Sequence, residues 1–257
     1  MKKIFVVLVA IFLLTVIACS GGGGGSSSNG NGESGSEKWK LVEKTTDQDN
    51  NGTMDIVTSY IYDTNGYLIK LETDSDKNGM NQTDHITNDS NGYRTKAETD
   101  LDNNGSIDIT SYYTYDSHGN PIKIESYETY ISNSDYVIAY YTYDSNRKKT
   151  KAEIEGHHNG SIYYVTNYYT NDSHGNVTKF ETDNKNDGSI DSVSSYKNTY
   201  DSNENLIKLE TDSDNDGSID IIEYYTYDSN GNVIKIEFDN GNHGSIDSVT
   251  YYFWTKM

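Results

Sequence analysis

The sequence predicts an all-β protein made of antiparallel β-hairpin repeats of about 27–29 residues, with about 16 strands in total. Three observations predict this fold class. A motif of the form Tyr-x-Tyr-Asp-Ser-x-Gly-Asn, followed by apolar-Lys-apolar-Glu, recurs along most of the chain. Polar and apolar residues alternate with the period of two that marks strands. No stretch after residue 20 shows an apolar stripe at helical spacing.

Each unit supplies two strands whose residues sort onto two faces. In the first strand, residues 219–227, the odd-numbered side chains share one face and the even-numbered ones the other. In the second strand, Ile234 and Ile236 oppose Lys235 and Glu237. The second strand recurs at 68–72, 94–98, 121–125, 149–153, 177–181, 206–210 and 233–237. One face is therefore aliphatic and rich in tyrosine, and the other carries Lys, Glu, Thr and more tyrosine.

Two turn types alternate between the strands. The turn Asp-Ser-Asn-Gly-Asn suits a tight hairpin, because Asn-Gly supplies positive φ angles and Asp can bond backbone amides. Arg147 and Glu204 replace this glycine in two units, so we expect those two hairpins to be strained or differently built. The second turn, Thr-Asp-Ser-Asp-Asn-Asp-Gly at residues 211–217, is acidic.

The ends of the repeat region indicate how the sheet closes. It begins with one half-unit at 39–43 and ends with the opposite half-unit at 245–254. A single sheet of this length would leave its apolar face in water, so it must coil, close or pack on a partner. We expect a curled meander, barrel-like or a spiral shell, with a β-propeller as the alternative. A membrane-spanning transport barrel also fits the strand count, although Glu223, Ser111 and Thr58 fall on its apolar face.

The N-terminal residues 1–18 have the form of a bacterial secretory signal, with a basic start and an apolar run too short for a comfortable membrane span. Residues 16–19, Val-Ile-Ala-Cys, resemble the lipobox of bacterial lipoproteins. The resemblance implies cleavage before Cys19, a diacylglyceryl thioether on its sulfur and a further acyl chain, typically palmitate, on its amine. Ser20 follows instead of aspartate, so we expect a lipid anchor in the outer membrane of the cell envelope.

Residues 19–36 comprise the lipidated cysteine and a Gly/Ser-rich tether, and residues 37–257 form the β-repeat domain. Cys19 is the only cysteine, which excludes disulfides and cysteine-ligated metal sites. The full chain has a formal net charge of −20. Such a surface repels nucleic acid and anionic lipid and attracts cations, so we expect no nucleic-acid partner.

The phrases YTYDSNGNVIKIE (225–237) and YTYDSHGNPIKIE (113–125) resemble the YD repeats of the RHS family. That resemblance covers roughly residues 39–254 and implies β-sheet wound into a shell. The spacing between repeats is longer here, because the acidic turn is inserted. No toxin domain follows the repeats, so the resemblance extends to shell-like coiling and not to toxin encapsulation.

The acidic turns have the ligand spacing of calcium loops. Alternate carboxylates in a tight loop aim at one point, the glycine permits the turn, and hard oxygen ligands suit Ca²⁺. No helices flank these loops, so the resemblance is to β-flanked Asp-x-Asp-x-Asp-Gly loops such as those of integrin-type propeller blades. The best candidates are Asp212, Asp214, Asp216, Asp220 and Glu223; Asp47, Asp49, Asn51 and Asp55; and Asp100, Asp102, Asn104 and Asp108.

Other loops match the spacing less well. The weaker candidates are Asp183, Asp187 and Asp191, with Lys185 intruding, and Asp74, Asp76 and Asn78. Loops near 128–135, 155–163 and 239–247 lack most ligands. The alternative is that Asp, Asn and Gly are simply favoured turn residues. Because close carboxylates repel one another unless a cation offsets them, we expect Ca²⁺ in the best loops, bound with a Kd of roughly 10⁻⁴ to 10⁻³ M.

The functional expectation is a structural, adhesive or ligand-display role for an envelope-anchored lipoprotein stabilised by calcium. The six histidines lie in or near turns without a repeating partner, and no carboxylate pair differs from the rest, so we expect no enzyme. The alternatives are a carbohydrate-active or other hydrolytic surface enzyme and an outer-membrane transport barrel. Glycan or protein ligands of the cell surface remain candidate partners because Tyr112, Tyr140, Tyr168 and Tyr224 share a polar face.

Overall fold

The computed structural model describes residues 39–75, 79–128, 135–158 and 160–256. Over these ranges the chain forms sixteen β-strands. The described residues include no helix of the length and apolarity needed to cross a membrane. The expected signal segment (1–18) and tether (19–36) lie outside the described residues.

The strands follow one another at nearly regular intervals and are seven to eleven residues long. They are β1 (Trp39–Asp47), β2 (Ile56–Tyr62), β3 (Leu68–Asp74), β4 (Gln82–Asn88), β5 (Arg94–Asp100), β6 (Ile109–Tyr115), β7 (Pro121–Glu128), β8 (Tyr136–Tyr143), β9 (Lys149–His158), β10 (Ser161–Asn171), β11 (Val177–Asp183), β12 (Ser192–Tyr200), β13 (Leu206–Asp212), β14 (Ile221–Tyr227), β15 (Val233–Asn240) and β16 (Ser248–Lys256).

The sheet is a meander that closes into a barrel. Each strand pairs antiparallel with the next one along the chain, and β16 pairs with β1 to complete the ring. The predicted fold class is thereby confirmed in its barrel-like form, and the alternative β-propeller is wrong. Closure leaves no free sheet edge and removes the apolar face from water, because it pairs both edges and encloses that face.

The two faces of the barrel wall differ in exposure. Tyr60, Leu71 and Ile86 share one face and form a cluster in which each is at most 8% exposed. The large exposed side chains of mid-strand positions, such as Tyr112 and Tyr140, lie on the opposite face. A concave wall crowds its side chains and a convex wall spreads them. The aliphatic, tyrosine-rich face therefore lines the barrel interior, as its alternation predicts.

A β-bulge recurs where each even-numbered strand from β2 to β14 meets the strand that follows it. We expected both isoleucines of the second strand to face inward, and this expectation is wrong because the bulge adds a residue between them and the turn. In β7, Ile124 is 3% exposed but Ile122, at the bulge, is 37% exposed. The bulge arises one residue after the turn, where it re-aims the side chain and increases the local twist.

The bulged strands gain a recurring side-chain bond. The hydroxyl of Tyr62 donates to the backbone carbonyl of Leu41 at 2.7 Å. The equivalent bonds, from Tyr143, Tyr227 and Trp254 to the carbonyl of the first residue of a neighbouring strand, are 2.7–2.8 Å long. The tyrosines that precede the turns at 63–67, 144–148 and 228–232 are therefore structural residues that pin this end of the barrel.

The meander segregates the two turn types to opposite ends of the barrel. The acidic turns that follow β1, β5, β11, β13 and β15 lie at one end of the barrel, and the tight turns that follow the even-numbered strands lie at the other. Both Arg147 and Glu204 adopt a φ of 66° in turns bonded like their glycine-containing counterparts. They are thus strained copies of the same hairpin.

Candidate metal sites in the acidic turns

The acidic turns share a frame built by their first and ninth residues. In the turn after β1, the carboxylate of Asp47 accepts the amides of Asn51 at 3.1 Å and Gly52 at 2.7 Å. The carboxylate of Asp55 accepts the amide of Gln48 at 2.8 Å. The same two sets of bonds recur in the turns that follow β5, β11, β13 and β15.

Three turns bring three carboxylates close enough to share one cation. In each, the first, third and ninth residues offer carboxylate oxygens that all lie within 4.8 Å of one another. The groups are Asp47, Asp49 and Asp55; Asp100, Asp102 and Asp108; and Asp212, Asp214 and Asp220. The first residue is buried, the third is exposed and the ninth is intermediate, so each group opens to solvent on one side. These nine aspartates match the strongest sequence candidates.

Asp216 at the fifth position and Glu223 at the twelfth do not join the group after β13. The side chains of Asn51, Asn104 and Asp216 each accept the amide two residues ahead at 2.7–2.8 Å, which holds them in a local turn. Glu223 lies on the inner face of β14, and its carboxylate accepts the hydroxyl of Tyr225 at 2.7 Å. A strand, and not a helix, follows this loop. The twelfth residue of the loop is therefore a strand residue, and its side chain points to the inner face of the barrel.

The weaker candidates are not assembled into metal-capable groups among the described residues. In the turn after β11, Asp183 and Asp191 keep the frame, but Lys185 occupies the third position. The side chain of Asp187 accepts the amide of Ser189 at 3.0 Å instead. In the turn after β3, Asp74 is described and accepts the amide of Gly79, whereas Asp76 and Asn78 lie outside the described residues.

The turn after β15 contains a group that the aspartate spacing did not reveal. Asp239, His243 and Asp247 each offer a ligand atom within the same 4.8 Å limit. Here glycine occupies the third position, as Gly241, and the fifth position contributes an imidazole. A search for His as well as Asp at the fifth position would have found this group.

Neighbouring acidic turns are tied together by asparagines at positive φ. The side chain of Asn103 accepts the hydroxyl of Thr83 at 3.2 Å and donates to the carbonyl of Met80 at 3.3 Å. Asn186 and Asn215 accept the equivalent hydroxyls from β10 and β12. Each turn thus folds over the outer end of the preceding strand, which explains why the first aspartates are buried on the outer face.

The protonation of the frame follows from these bonds. Burial alone would raise the pKa of Asp100, but the amides of Gly105 and Asn104 outweigh burial and hold that pKa below its ordinary value. The pKa of Asp183 is lowered by loop amides in the same way, again against burial. These carboxylates therefore stay ionised at neutral pH, which is the state that a cation requires.

The outer wall carries a polar belt at mid-strand. A lysine and the glutamate two residues later form an ion pair in every odd-numbered strand from β3 to β15, with Lys70–Glu72 as the first. Tyr112 lies beside Lys96 on the neighbouring strand, whose ammonium is 6.0 Å from the ring centroid. Tyr140, Tyr168 and Tyr224 repeat this contact at 5.5–5.9 Å.

The barrel interior holds ionisable groups whose pKa values are shifted by burial. Burial raises the pKa of Tyr60, Tyr169 and Tyr252 to about 12. Burial also raises the pKa of the Glu223 carboxyl and lowers that of the Lys44 ammonium. The ammonium of Lys149 lies 4.2 Å from the ring centroid of Tyr169, a cation–π contact inside the wall.

Comparison with solved structures supports the barrel. A porin-like protein from Bacteroides vulgatus is similar over 84% of this chain and 98% of its own, with 12% identity and a TM-score of 0.54. At this identity the likeness shows a common fold alone. A porin-like protein from Bacteroides uniformis matches over 83% of this chain and 96% of its own, with 11% identity. Its TM-score of 0.40 is too low to support a common fold.

The Photorhabdus luminescens Tc holotoxin pore is similar over 78% of this chain at 14% identity. Its TM-score of 0.35 is too low to support a common fold. This chain spans about 12% of the length of that toxin chain. No protein-family model matches the sequence, and no curated protein matches it.

Proposed function

We propose that this protein is an envelope-anchored lipoprotein whose barrel is stabilised by calcium and serves a structural, adhesive or ligand-display role without catalysis. The observation that carries the proposal is the set of three turns in which carboxylates converge within 4.8 Å. Three carboxylates at that separation repel one another unless a cation lies among them. Oxygen-only ligand sets in a flexible loop suit Ca²⁺ rather than a transition metal.

The outer belt favours a barrel that stands in water over one that crosses a lipid bilayer. Seven Lys–Glu pairs encircle the outer wall at mid-strand height. A basic side chain facing lipid at the bilayer centre costs about 2–4 kcal/mol. A transmembrane barrel would instead present an apolar band at that height. We therefore place the barrel beside the membrane, held by the lipid on Cys19, and not within it.

The geometry of the chain orients the barrel on its anchor. β1 begins at Trp39, at the end of the barrel that carries the Asn-Gly turns. A tether that runs from Cys19 to residue 36 would hold this end nearest the membrane. The ring of acidic turns would then face away from the anchor, where it meets the divalent cations of the surroundings.

Calcium titration calorimetry on the full chain tests the metal sites, with two substitutions that change the number of ligand groups. Asp102→Asn should remove one of three equivalent sites, because it takes a carboxylate from one group. Lys185→Asp should add a fourth, because it completes the first, third and ninth positions after β11. Asp187→Asn, which leaves the count at three, is the matched control. No calcium uptake up to about 10 mM would overturn the proposal.

The anchor is tested separately. Cys19→Ser should move the protein from the membrane fraction to the soluble fraction, and mass spectrometry of the unsubstituted protein should find acyl chains on its N-terminal cysteine. An unsubstituted protein that carries no acyl chain would refute the anchor and leave the calcium sites unaffected, since the two rest on different residues.

A further inference from the structure

At the end of the barrel opposite the acidic turns, the Asn-Gly turns pack side by side. At two neighbouring seams of this ring, the tyrosine that ends one turn covers the glycine of the next. A Cβ added to Gly92 would lie 2.3 Å from the ring of Tyr67, and one added to Gly119 would lie 2.3 Å from the hydroxyl of Tyr93. Large side chains therefore fill these two seams, and glycine is required beneath them, whereas a Cβ on Gly231 would meet no atom within 4 Å.

A cleft lies at another seam of this ring. Between the turns at 116–120 and 144–148, the covering position holds Asn120, whose amide donates back to Asp116 at 2.9 Å. The covered position holds Arg147 instead of glycine. A cleft of about 480 Å³ remains, walled by Ile122, Thr142 and Tyr143 among others. That volume lies within the range of roughly 300–1,000 Å³ typical of ligand pockets.

The turn sequence alone does not open the seam. Asp-Ser-His-Gly-Asn occurs at 116–120 and again at 172–176. At the second copy, His174 stacks on Tyr200 with ring centroids 4.0 Å apart, and the hydroxyl of Tyr200 donates to Asp172. At the first copy, the hydroxyl of Tyr143 donates to the carbonyl of Pro121 and leaves His118 exposed. The same turn sequence therefore lies beside a filled seam at 172–176 and beside the cleft at 116–120.

Arg147 supplies the one positive charge among the residues that line the cleft, beside the carboxylates of Asp116 and Asp144. One oxygen of each of these carboxylates accepts two backbone amides of its own turn. Within the part of the chain that the structure describes, the guanidinium of Arg147 forms no side-chain hydrogen bond or ion pair. A guanidinium pairs with a carboxylate through two parallel hydrogen bonds, which gives direction as well as attraction.

We propose that this cleft binds a carboxylate-bearing sugar, of the hexuronate class. Arg147 would hold the carboxylate, while the hydroxyl of Thr142 and the amide of Asn120 lie in the same lining to meet the sugar hydroxyls. Ile122 and the ring of Tyr143 give the apolar surface on which a sugar ring packs. The site is independent of calcium, because the acidic turns lie at the other end of the barrel.

Titration calorimetry of the full chain with galacturonate, galactose and acetate tests the proposal. Galacturonate should bind more tightly than both of the others, because only it combines the carboxylate with the sugar ring. Equal binding of acetate would overturn the sugar component, and equal binding of galactose would overturn the role of Arg147. Binding of galacturonate should persist in excess chelator; loss there would overturn the claim that this site is separate from the calcium sites.

Two substitutions and one matched control locate the site. Arg147→Gly restores the residue found in most of these turns and should weaken galacturonate binding at least about tenfold, the value of one charge-assisted bond. Asn120→Tyr copies Tyr93 and should close the cleft and abolish binding. Glu204→Gly makes the same change in another turn and should leave binding unchanged. Unaltered binding by either Arg147→Gly or Asn120→Tyr, with the melting temperature preserved, would refute the site.

Discussion

Removal of calcium should destabilise the barrel by an amount that the structure allows to be worked out. Three turns gather a complete set of three carboxylates. For a Kd of about 10⁻⁴ to 10⁻³ M, about 10 mM free calcium stabilises the folded state by roughly 1.4–2.7 kcal/mol per site. Three independent sites give about 4–8 kcal/mol. For a domain of this size, one kcal/mol shifts the melting temperature by about 2–4 °C, so the total shift is roughly 10–30 °C.

Differential scanning calorimetry of the full chain over a series of calcium concentrations measures this shift. Ionic strength must be held constant with sodium chloride, because screening alone stabilises a chain with a net charge of −20. Well above the Kd, each tenfold rise in calcium should add about 1.4 kcal/mol per occupied site, so the slope counts the sites.

Substitution of the third ligand in one turn gives the matched test of that slope. Asp214→Asn should lower the slope by one site without disturbing the buried frame, because Asp214 is exposed and the frame rests on Asp212 and Asp220. The same melting temperature in calcium and in chelator, at matched ionic strength, would refute the reasoning. The acidic turns would then be hairpin turns and nothing more.

Three further outcomes are expected. The folded state should lose stability between about pH 10 and pH 12. Burial raises the pKa of Tyr60 from 10.0 to about 12, so this phenol favours the folded state only while it is protonated, by about 3 kcal/mol. Tyrosinate absorbance and circular dichroism should change together, and early ionisation without unfolding would contradict this. Tyr62→Phe should cost about 1 kcal/mol in denaturant unfolding by removing the bond to Leu41, with Tyr112→Phe as the neutral control, and equal losses would argue against the bond. Glu204→Gly should raise stability by up to about 1 kcal/mol, since φ is 66° there; a lower melting temperature would mean that the glutamate side chain makes a compensating contact.

Much of the fold was readable from the repeat. The alternation around Tyr60 and Tyr225 predicted which face is buried, because a strand places successive side chains on opposite sides. The bulge was not readable, and Ile122 consequently faces outward although its neighbours predicted the opposite. A bulge depends on how two strands pair, which no single strand encodes.

The ligands of the candidate metal sites were also predicted from the sequence only in part. Spacing alone identified Asp100, Asp102 and Asp108, because a tight turn fixes where its own residues point. Spacing failed for Glu223, which the strand after the turn carries to the inner face. It also passed over His243, whose contribution depends on Gly241 leaving room for the imidazole.

The sequence by itself determined the strand, the two kinds of turn and the number of units, because these follow from local alternation and from residues that favour particular backbone angles. Only the tertiary structure decided that β1 meets β16, and therefore that the sheet closes into a ring with the acidic turns at one end. It also decided that a cleft lies between the turns at 116–120 and 144–148. Closure and packing join residues more than two hundred positions apart, and no local pattern records such distances.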